Sequence, residues 1–360
     1  MDNAALTIRD IRVRAVNAPL ARPIRTAVGA SPSAPLLLID INTDQGVVGR
    51  SYIFAYTAVA LAPLARLAAE ISGELAGQPV VPVDILRNFE RRFRLLGRQG
   101  LLGMLLSGLD IGLWDALGRA AGWPVVRLLG GQPLPLPAYD SFGIVDPCAD
   151  ERAIRQSLDR GFRAIKIKIG DGSVDADVAT VAAIRRMIGP DIALMVDYNQ
   201  SLDPPEARRR ISRLAEYDLA WVEEPVPAED IQGHARVRES SSIRIQTGEN
   251  WWFPRDMAHA IAAGASDFAM LDIMKIGGIS GWMRAAGQAE AASLPVSSHI
   301  FVEASAHMLA VTPTAHWLEH LDSAGAIMAE PIEVADGCIT ARGPGLGMTW
   351  DERAVARYAV

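Results

Sequence analysis

Cysteine is nearly absent. Of 360 residues only Cys148 and Cys338 carry a thiol, far apart and with no CxxC or Cys/His cluster around them. That argues against a disulfide framework and a thiolate metal site, and leaves both as packing residues. Charge of one sign is scarce as well: the formal net charge is −7, spread without an acidic or basic block. Nothing therefore marks a surface for nucleic acid or for an anionic membrane. No apolar run reaches membrane-spanning length, and the opening MDNAALTIRD lacks the basic and apolar regions of a signal peptide. The cytoplasm is the expected address. Low-complexity segments are missing, and so is any repeat beyond an alternation of strands and helices.

What is present is ample apolar material. Hydrophobic residues make up 50% of the chain and charged residues 21%, enough for a large core and too apolar for disorder. The length exceeds that of a usual single domain, which favours a large barrel with an accessory domain.

The chain changes character along its length. IRDIRVRAV and APLLLIDINTDQGVVGRSY read as strands, with Asp44-Gln45-Gly46 as a hairpin turn, so a three-stranded meander is expected. From about 58 to 130 the period is helical, with Leu101, Leu105, Gly108, Leu109 and Gly112 on one stripe. After Pro133, eight short apolar strands are expected at 136–142, 162–169, 192–198, 219–224, 243–248, 268–272, 294–299 and 316–320. Helical segments such as 175–187, 206–216 and 281–292 fall between them. Eight parallel strands with intervening helices make a closed α/β barrel, whose active site lies at the strand C-terminal ends. The expected division is a first domain over 1–130, a barrel over 131–322 and a segment over 323–360 that returns toward the first domain.

Charged residues fall at those strand ends. Asp197, Glu223 and Glu249 each close an apolar strand and follow one another at intervals of 26 residues. Parallel neighbours lie about 4.8 Å apart, so three such acids meet at one rim as an all-oxygen site for a hard cation, magnesium fitting best. Any one of them could instead cap the following helix. Three anions in register without a counter-ion would be strongly unfavourable, and a bound cation answers that.

Lys166 and Lys168 share one face of their strand, with Ile165, Ile167 and Ile169 on the other. Two ammonium groups held close should lower each other's proton affinity, bringing one from about 10.4 toward the 7 to 8 range of a general base. Asp272 and His299 end adjacent strands, and an aspartate accepting from one imidazole nitrogen raises the basicity of the other. The remaining histidines, 234, 259, 307, 316 and 320, read as core or surface residues. Glu319 ends the eighth strand, either as a protonated carboxyl that donates to an oxyanion or as the partner of a lysine such as Lys275.

The motifs KIK at 166–168, VDYN at 196–199, EEP at 223–225, GEN at 248–250, DIMKIGG at 272–278 and SSH at 297–299 resemble the mandelate racemase subgroup of the enolase superfamily. The resemblance extends to RTAVG, FAYTAVAL and TPTAHWLEHLD, over nearly the whole chain. It implies a modified (β/α)8-type barrel, (β/α)7β, behind an N-terminal α+β capping domain, in a homo-oligomer for which an octamer is the implied size. It implies that Asp197, Glu223 and Glu249 bind Mg2+, and that Lys168 serves the S face of the substrate and His299, oriented by Asp272, the R face. Lys166 would contact the substrate carboxylate, Glu319 would donate to it, and Asn199 would touch the α-hydroxyl. Ile24, Val28 and Ser31 would lie on a flap, with Tyr56, Leu95, Ser141, Ile300 and Leu321 around the substrate. Ser31, Phe142 and Ile167 depart from the valine, histidine and threonine the family pattern leads one to expect.

The implied activity is magnesium-dependent racemisation of a small-molecule 2-hydroxy carboxylate, mandelate or a related aryl or apolar acid, by two bases acting on the α-proton. Dehydration of a sugar acid on the same scaffold is the alternative, and the apolar flap weighs against a polyol. A silent carboxylate-binding barrel would be expected to lack the full set of charged positions, and metal-assisted hydrolysis to use histidine ligands.

Overall fold

The computed structural model describes residues 6–26 and 29–360; Val28 of the expected flap falls outside them. The chain opens with three antiparallel strands, β1 (Ile8–Thr26), β2 (Gly29–Thr43) and β3 (Val48–Phe54), paired in the order β1-β2-β3. The β2–β3 turn runs through Gly46, whose φ of 77° suits glycine. Four helices follow: α1 (Leu61–Leu75), α2 (Pro82–Arg92), α3 (Gly100–Ala121) and the short α4 (Val125–Leu128).

Helix α3 lies on the sheet at its glycine stripe. A Cβ at Gly108 would stand 2.9 Å from Ile39 and Ile53, and one at Gly112 would stand 3.0 Å from Ile41. This approach also corrects an expectation. At 22 residues α3 is apolar and long enough to cross a membrane, but 78% of its apolar stretch is buried inside the fold, against β2, β3 and the barrel.

The barrel alternates strands and helices: β4 (Leu136–Ile144), α5 (Glu151–Asp159), β5 (Ala164–Lys168), α6 (Val174–Ile188), β6 (Ala193–Asp197), α7 (Pro204–Arg213), β7 (Leu219–Glu223), α8 (Ile231–Ser240), β8 (Ile245–Thr247), α9 (Phe253–Ala263), β9 (Phe268–Asp272), α10 (Gly278–Ala291), β10 (Val296–His299), α11 (Val302–Leu309) and β11 (Leu318–His320). Each of the eight strands falls within or overlaps the apolar run that suggested it. They pair in parallel in the order β10-β9-β8-β7-β6-β5-β4-β11. The ring closes where Ser298 N donates to Trp317 O at 3.1 Å and His316 N to Val296 O at 2.8 Å. Alternation along the strands sends Ile165, Ile167, Leu194, Val196, Val222 and Ile245 outward into one helix-covered core. Inside, Tyr139, Trp221 and Phe268 meet edge to face, with centroids 5.6 and 6.1 Å apart, and with His316 fill the lower barrel.

At β1, two connections tie the first sheet to the barrel. The β1–β2 register breaks between Pro19 and Ile24, and there Arg22 reaches down to Asp140 at 3.0 and 3.2 Å and to Ser141 O at 2.7 Å. Its guanidinium lies 3.6 Å from the centre of the Phe142 ring. Arg25 also bonds Asp150, and a Cβ at Gly143 would lie 2.4 Å from Arg25 O, so only glycine admits so close an approach. The closing segment supplies the second connection. Its β12 (Cys338–Ile339) pairs with the start of β4; after α12 (Glu352–Arg357), Tyr358 O accepts from Asn17 N at 2.9 Å and Val360 N donates to Ala15 O at 3.2 Å.

Candidate active site

Strand register assembles the acids. Lys168 pairs with Asp197, Asp197 with Glu223, and Glu223 with Gln246, so one row of inward side chains runs around the wall. Glu249 stands just past the end of β8. One carboxylate oxygen from each of Asp197, Glu223 and Glu249 lies within 4.8 Å of the others, and all three residues are buried. The capping alternative does not account for them: the helices after β6 and β7 are capped by Asp203 and Asp230 from their own loops, and α9 after β8 starts behind Trp252 with no side-chain cap. Burial pushes the Glu223 carboxyl up to about 8, with Lys166 opposing and Asp197 and Glu249 reinforcing. A buried cluster built only of hard oxygen donors within reach of one another fits a magnesium ion.

Lys166 is the hub of the interior. Its Nζ lies 2.6 Å from Glu223 Oε1 and 2.7 Å from Glu319 Oε1, with 1% of its side chain exposed, so it bridges carboxylates from β7 and β11. Burial works against its charge, but Glu223 and Glu319 hold its proton far more firmly than usual. Lys168 bonds Asp197. The expected mutual lowering of the two lysines is outweighed: burial and Lys166 pull Lys168 down, yet Asp197 leaves it raised above the ordinary lysine value. With protein charges alone, then, Lys168 is an ammonium.

His299 lies between two carboxylates. Its Nδ1 is 2.7 Å from Asp272 Oδ2 and its Nε2 is 3.1 Å from Glu249 Oε2. Burial alone would lower it, but Glu249 and Asp272 raise it to about 9. Asp272 is itself fixed by the backbone amide of Met274 at 2.7 Å. Glu319 departs from the expectation of a protonated donor. It accepts from Ile300 N at 2.9 Å, and although burial favours the neutral form, Lys166 and His299 draw it down to about 2. It is an anion, and its lysine is Lys166, not Lys275.

Around this centre the structure separates the expected substrate-side residues. Asn199, at φ 45°, donates its backbone NH and its amide to Asp197 at 2.7 and 3.0 Å. Ser141 Oγ is buried without a partner on the strand beside Lys166. Ile300 is buried directly after His299, Leu321 follows β11 half-buried, and Ile24 pairs with Ser31 on the β1–β2 ends above. Tyr56, after β3, is 44% exposed. Leu95 does not form part of a wall, since it stands 99% exposed on the loop between α2 and α3. Two of the three departures from the family pattern lie outside the cavity: Ile167 and Phe142 belong to the core between the barrel and its helices, because the strand residues beside them face inward.

Of three polar residues inside the quoted motifs, Glu224 and Asn250 gained no role from sequence reasoning, and Lys275 gained only that of a partner for Glu319. Glu224, the second acid of EEP, accepts from Asn250 Nδ2 at 2.8 Å, and burial pushes it up to about 8. Lys275 Nζ donates to Asn250 Oδ1 at 2.7 Å. A charged side chain three residues past a strand end, in a glycine-flanked loop, was the available signal for Lys275.

Comparison with known proteins agrees with this geometry. Residues 8–130 match the N-terminal domain of the mandelate racemase/muconate lactonizing enzyme family, and residues 149–354 match the enolase C-terminal domain-like family. A 3,6-anhydro-alpha-L-galactonate cycloisomerase from Streptomyces coelicolor is 33% identical, over 92% of this chain and 93% of its own. An L-talarate/galactarate dehydratase from Salmonella typhimurium is 31% identical, over 93% and 87%. Among solved structures, an enolase from Bradyrhizobium complexed with magnesium and mandelic acid is 60% identical and covers 99% of both chains with a TM-score of 0.98. The chain belongs to the mandelate racemase/muconate lactonizing enzyme subgroup of the enolase superfamily and is a magnesium-dependent enzyme.

Proposed function

We propose that the enzyme racemises a 2-hydroxy carboxylate with an aryl or other apolar substituent, mandelate being the first choice. The observation that carries this reading is the placement of two proton acceptors on opposite arcs of the barrel. Lys168 ends β5 and His299 ends β10, with β6 to β9 between them one way round and β11 and β4 the other. An α-carbon held between them is open to deprotonation on one face and reprotonation on the other. The 60% identical Bradyrhizobium enolase complexed with magnesium and mandelic acid supports the substrate.

In this mechanism the substrate carboxylate sits over the acidic triad and Lys166. Magnesium, when held by Asp197, Glu223 and Glu249, supplies positive charge that lowers the acidity barrier of the α-proton and offsets the hold of Asp197 on Lys168. Lys168 Nζ takes the proton from one face. His299 Nε2, with Nδ1 bound to Asp272, gives one to the other, and the roles reverse for the opposite enantiomer. Lys166 faces the negative charge that grows on the carboxylate oxygens, and anionic Glu319 holds that ammonium in place. Ser141 Oγ, otherwise unpartnered, is free to donate to the same group.

Sugar-acid dehydration is the second reading, and the similarity to the dehydratase and the cycloisomerase supports it. Incubation of one mandelate enantiomer with enzyme and magnesium in D2O separates the two. Racemisation gives falling optical rotation with α-deuterium in the product, and Lys168→Ala and His299→Asn each abolish it. Formation of a 2-keto acid from galactarate, with mandelate left unchanged, would replace this reading with dehydration.

A further inference from the structure

Among the described residues, three donors reach the Glu223 carboxylate. Lys166 Nζ donates to Oε1 at 2.6 Å, while Oε2 receives Trp221 Nε1 at 3.1 Å and Gln246 Nε2 at 3.3 Å. An ionised carboxylate has about four lone-pair sites, shared evenly between its oxygens. Oε2 is therefore filled, and Oε1 keeps one site open toward the other acids.

Asp197 is engaged in a similar way. Its Oδ2 receives Lys168 Nζ and, at 3.0 Å, Asn199 Nδ2, and its Oδ1 receives the backbone NH of Asn199 at 2.7 Å. Lys168 exchanges its proton in the proposed mechanism, so that bond is interrupted during turnover. Trp221 and Gln246 carry no such duty, and their hold on Glu223 is permanent. Glu249 is less occupied, with Asn250 Nδ2 at 3.2 Å from Oε1 and His299 Nε2 at 3.1 Å from Oε2.

Packing does not explain Gln246. It is 0% exposed, and its Oε1 finds no partner among the described residues. A buried amide left half satisfied is unfavourable, and an apolar side chain of the same length would fill the space without that cost. What the glutamine adds is its NH2 group on Glu223. Register sets the direction of approach: Gln246 pairs with Glu223 across β7 and β8, and the chain beyond it leads to Glu249. The amide thus meets the carboxylate from the side of the third acid, and Trp221 meets it from two residues lower on β7.

From this arrangement we infer that Gln246 is a positioning residue that sets which cation the rim accepts: with Trp221 it fills Glu223 Oε2, confines that acid to ligation through one oxygen, and so favours Mg2+ over the larger Ca2+. Magnesium takes single oxygens at about 2.0–2.1 Å in an octahedron and keeps water in several positions. Calcium takes roughly six to eight oxygens at about 2.3–2.6 Å and readily uses both oxygens of one carboxylate. Pinning Glu223 to one oxygen costs magnesium nothing and denies calcium a ligand. The inference concerns the metal rim alone and holds whichever acid is the substrate.

Dissociation constants for Mg2+ and Ca2+, measured by calorimetry on chelator-stripped wild type and Gln246→Met, test this. Methionine keeps the length of the side chain and removes the NH donor, which opens a site on Oε2. The preference for Mg2+ over Ca2+ should fall by roughly tenfold, the lower end of what the hydrogen-bond partner of a metal ligand contributes to affinity. An unchanged preference overturns the inference. So does a parallel weakening of both ions, which would make Gln246 a support for the fold only. A further check needs no variant: in wild-type crystals soaked with calcium, Glu223 should reach the ion through Oε1 alone, and contact through both oxygens would overturn the inference as well.

Discussion

At the scale of single residues, the mouth of the barrel shows how buried charge is kept. Lys166, Glu223 and Glu319 form one chain of short contacts, and His299 is shared between Asp272 and Glu249. Glu303, at the start of α11, has less help. It accepts from the Tyr52 hydroxyl at 2.8 Å, but burial, reinforced by Asp322, pushes its carboxyl up to about 7 from an ordinary 4.5. Between those two values the folded chain holds a proton that the unfolded chain releases, so the stability this group contributes is full below 4.5 and gone above 7. Glu303→Gln keeps an acceptor for Tyr52 and removes the buried anion. Thermal unfolding at pH 8 should show the variant melting about 2–4 °C above wild type, with the difference vanishing as pH falls through this window. A variant that melts lower at pH 8 would mean the carboxylate is stabilised there as an anion.

Residue identities at strand ends were legible because a parallel strand is a short apolar run with an abrupt polar end. The charge states were not. Whether Glu319 is acid or anion depends on Lys166 reaching it across the closed barrel, and two positions far apart in sequence say nothing of that. Long side chains add to the difficulty: Lys275 was a reasonable partner for Glu319 by sequence, yet it extends to Asn250 and Tyr56.

At the scale of elements, β1 carries more than its sheet. Its register break puts Arg22 against Asp140, which also accepts from Ser157 and contacts His320 Nδ1 at 2.9 Å. Asp140 directly precedes Ser141, and His320 directly follows Glu319, so one buried carboxylate steadies two strand ends and the flap together. Lysine cannot reproduce the planar two-point grip of a guanidinium. Arg22→Lys should raise KM by about tenfold, equivalent to the loss of roughly one charged hydrogen bond, with kcat changed less; steady-state kinetics on the favoured acid would show it. Equal falls in kcat and kcat/KM would place Arg22 in the chemistry itself. None of this clasp was readable beforehand, since the irregular pairing between Pro19 and Ile24 has no counterpart in the apolar alternation of the strand.

At the scale of the whole molecule, three acids from three consecutive βα units couple metal binding to folding, since only the folded chain brings them together. A ligand that binds only the folded chain stabilises it by about 2.7 kcal/mol at a hundredfold excess over its dissociation constant. Saturating magnesium should therefore raise the melting temperature by a few degrees, roughly 2–5 °C, and chelator should reverse the gain. In Glu223→Gln or Glu249→Gln the increment should shrink or disappear. A full increment in both variants would remove these residues from the metal site. The eight strands and their order were legible from a repeating spacing. The long apolar helix α3 was legible as a helix but not as an internal one, because only the sheet it lies on accounts for its glycines.

The aromatic floor has one more consequence. With Tyr139, Trp221, Phe268 and His316 filling the lower barrel and Lys166 clamped above them, the chamber is floored on that side. Reactant, product and hydration water therefore share the strand C-terminal side, and their exchange there governs how long a transferred hydrogen stays out of reach of bulk solvent.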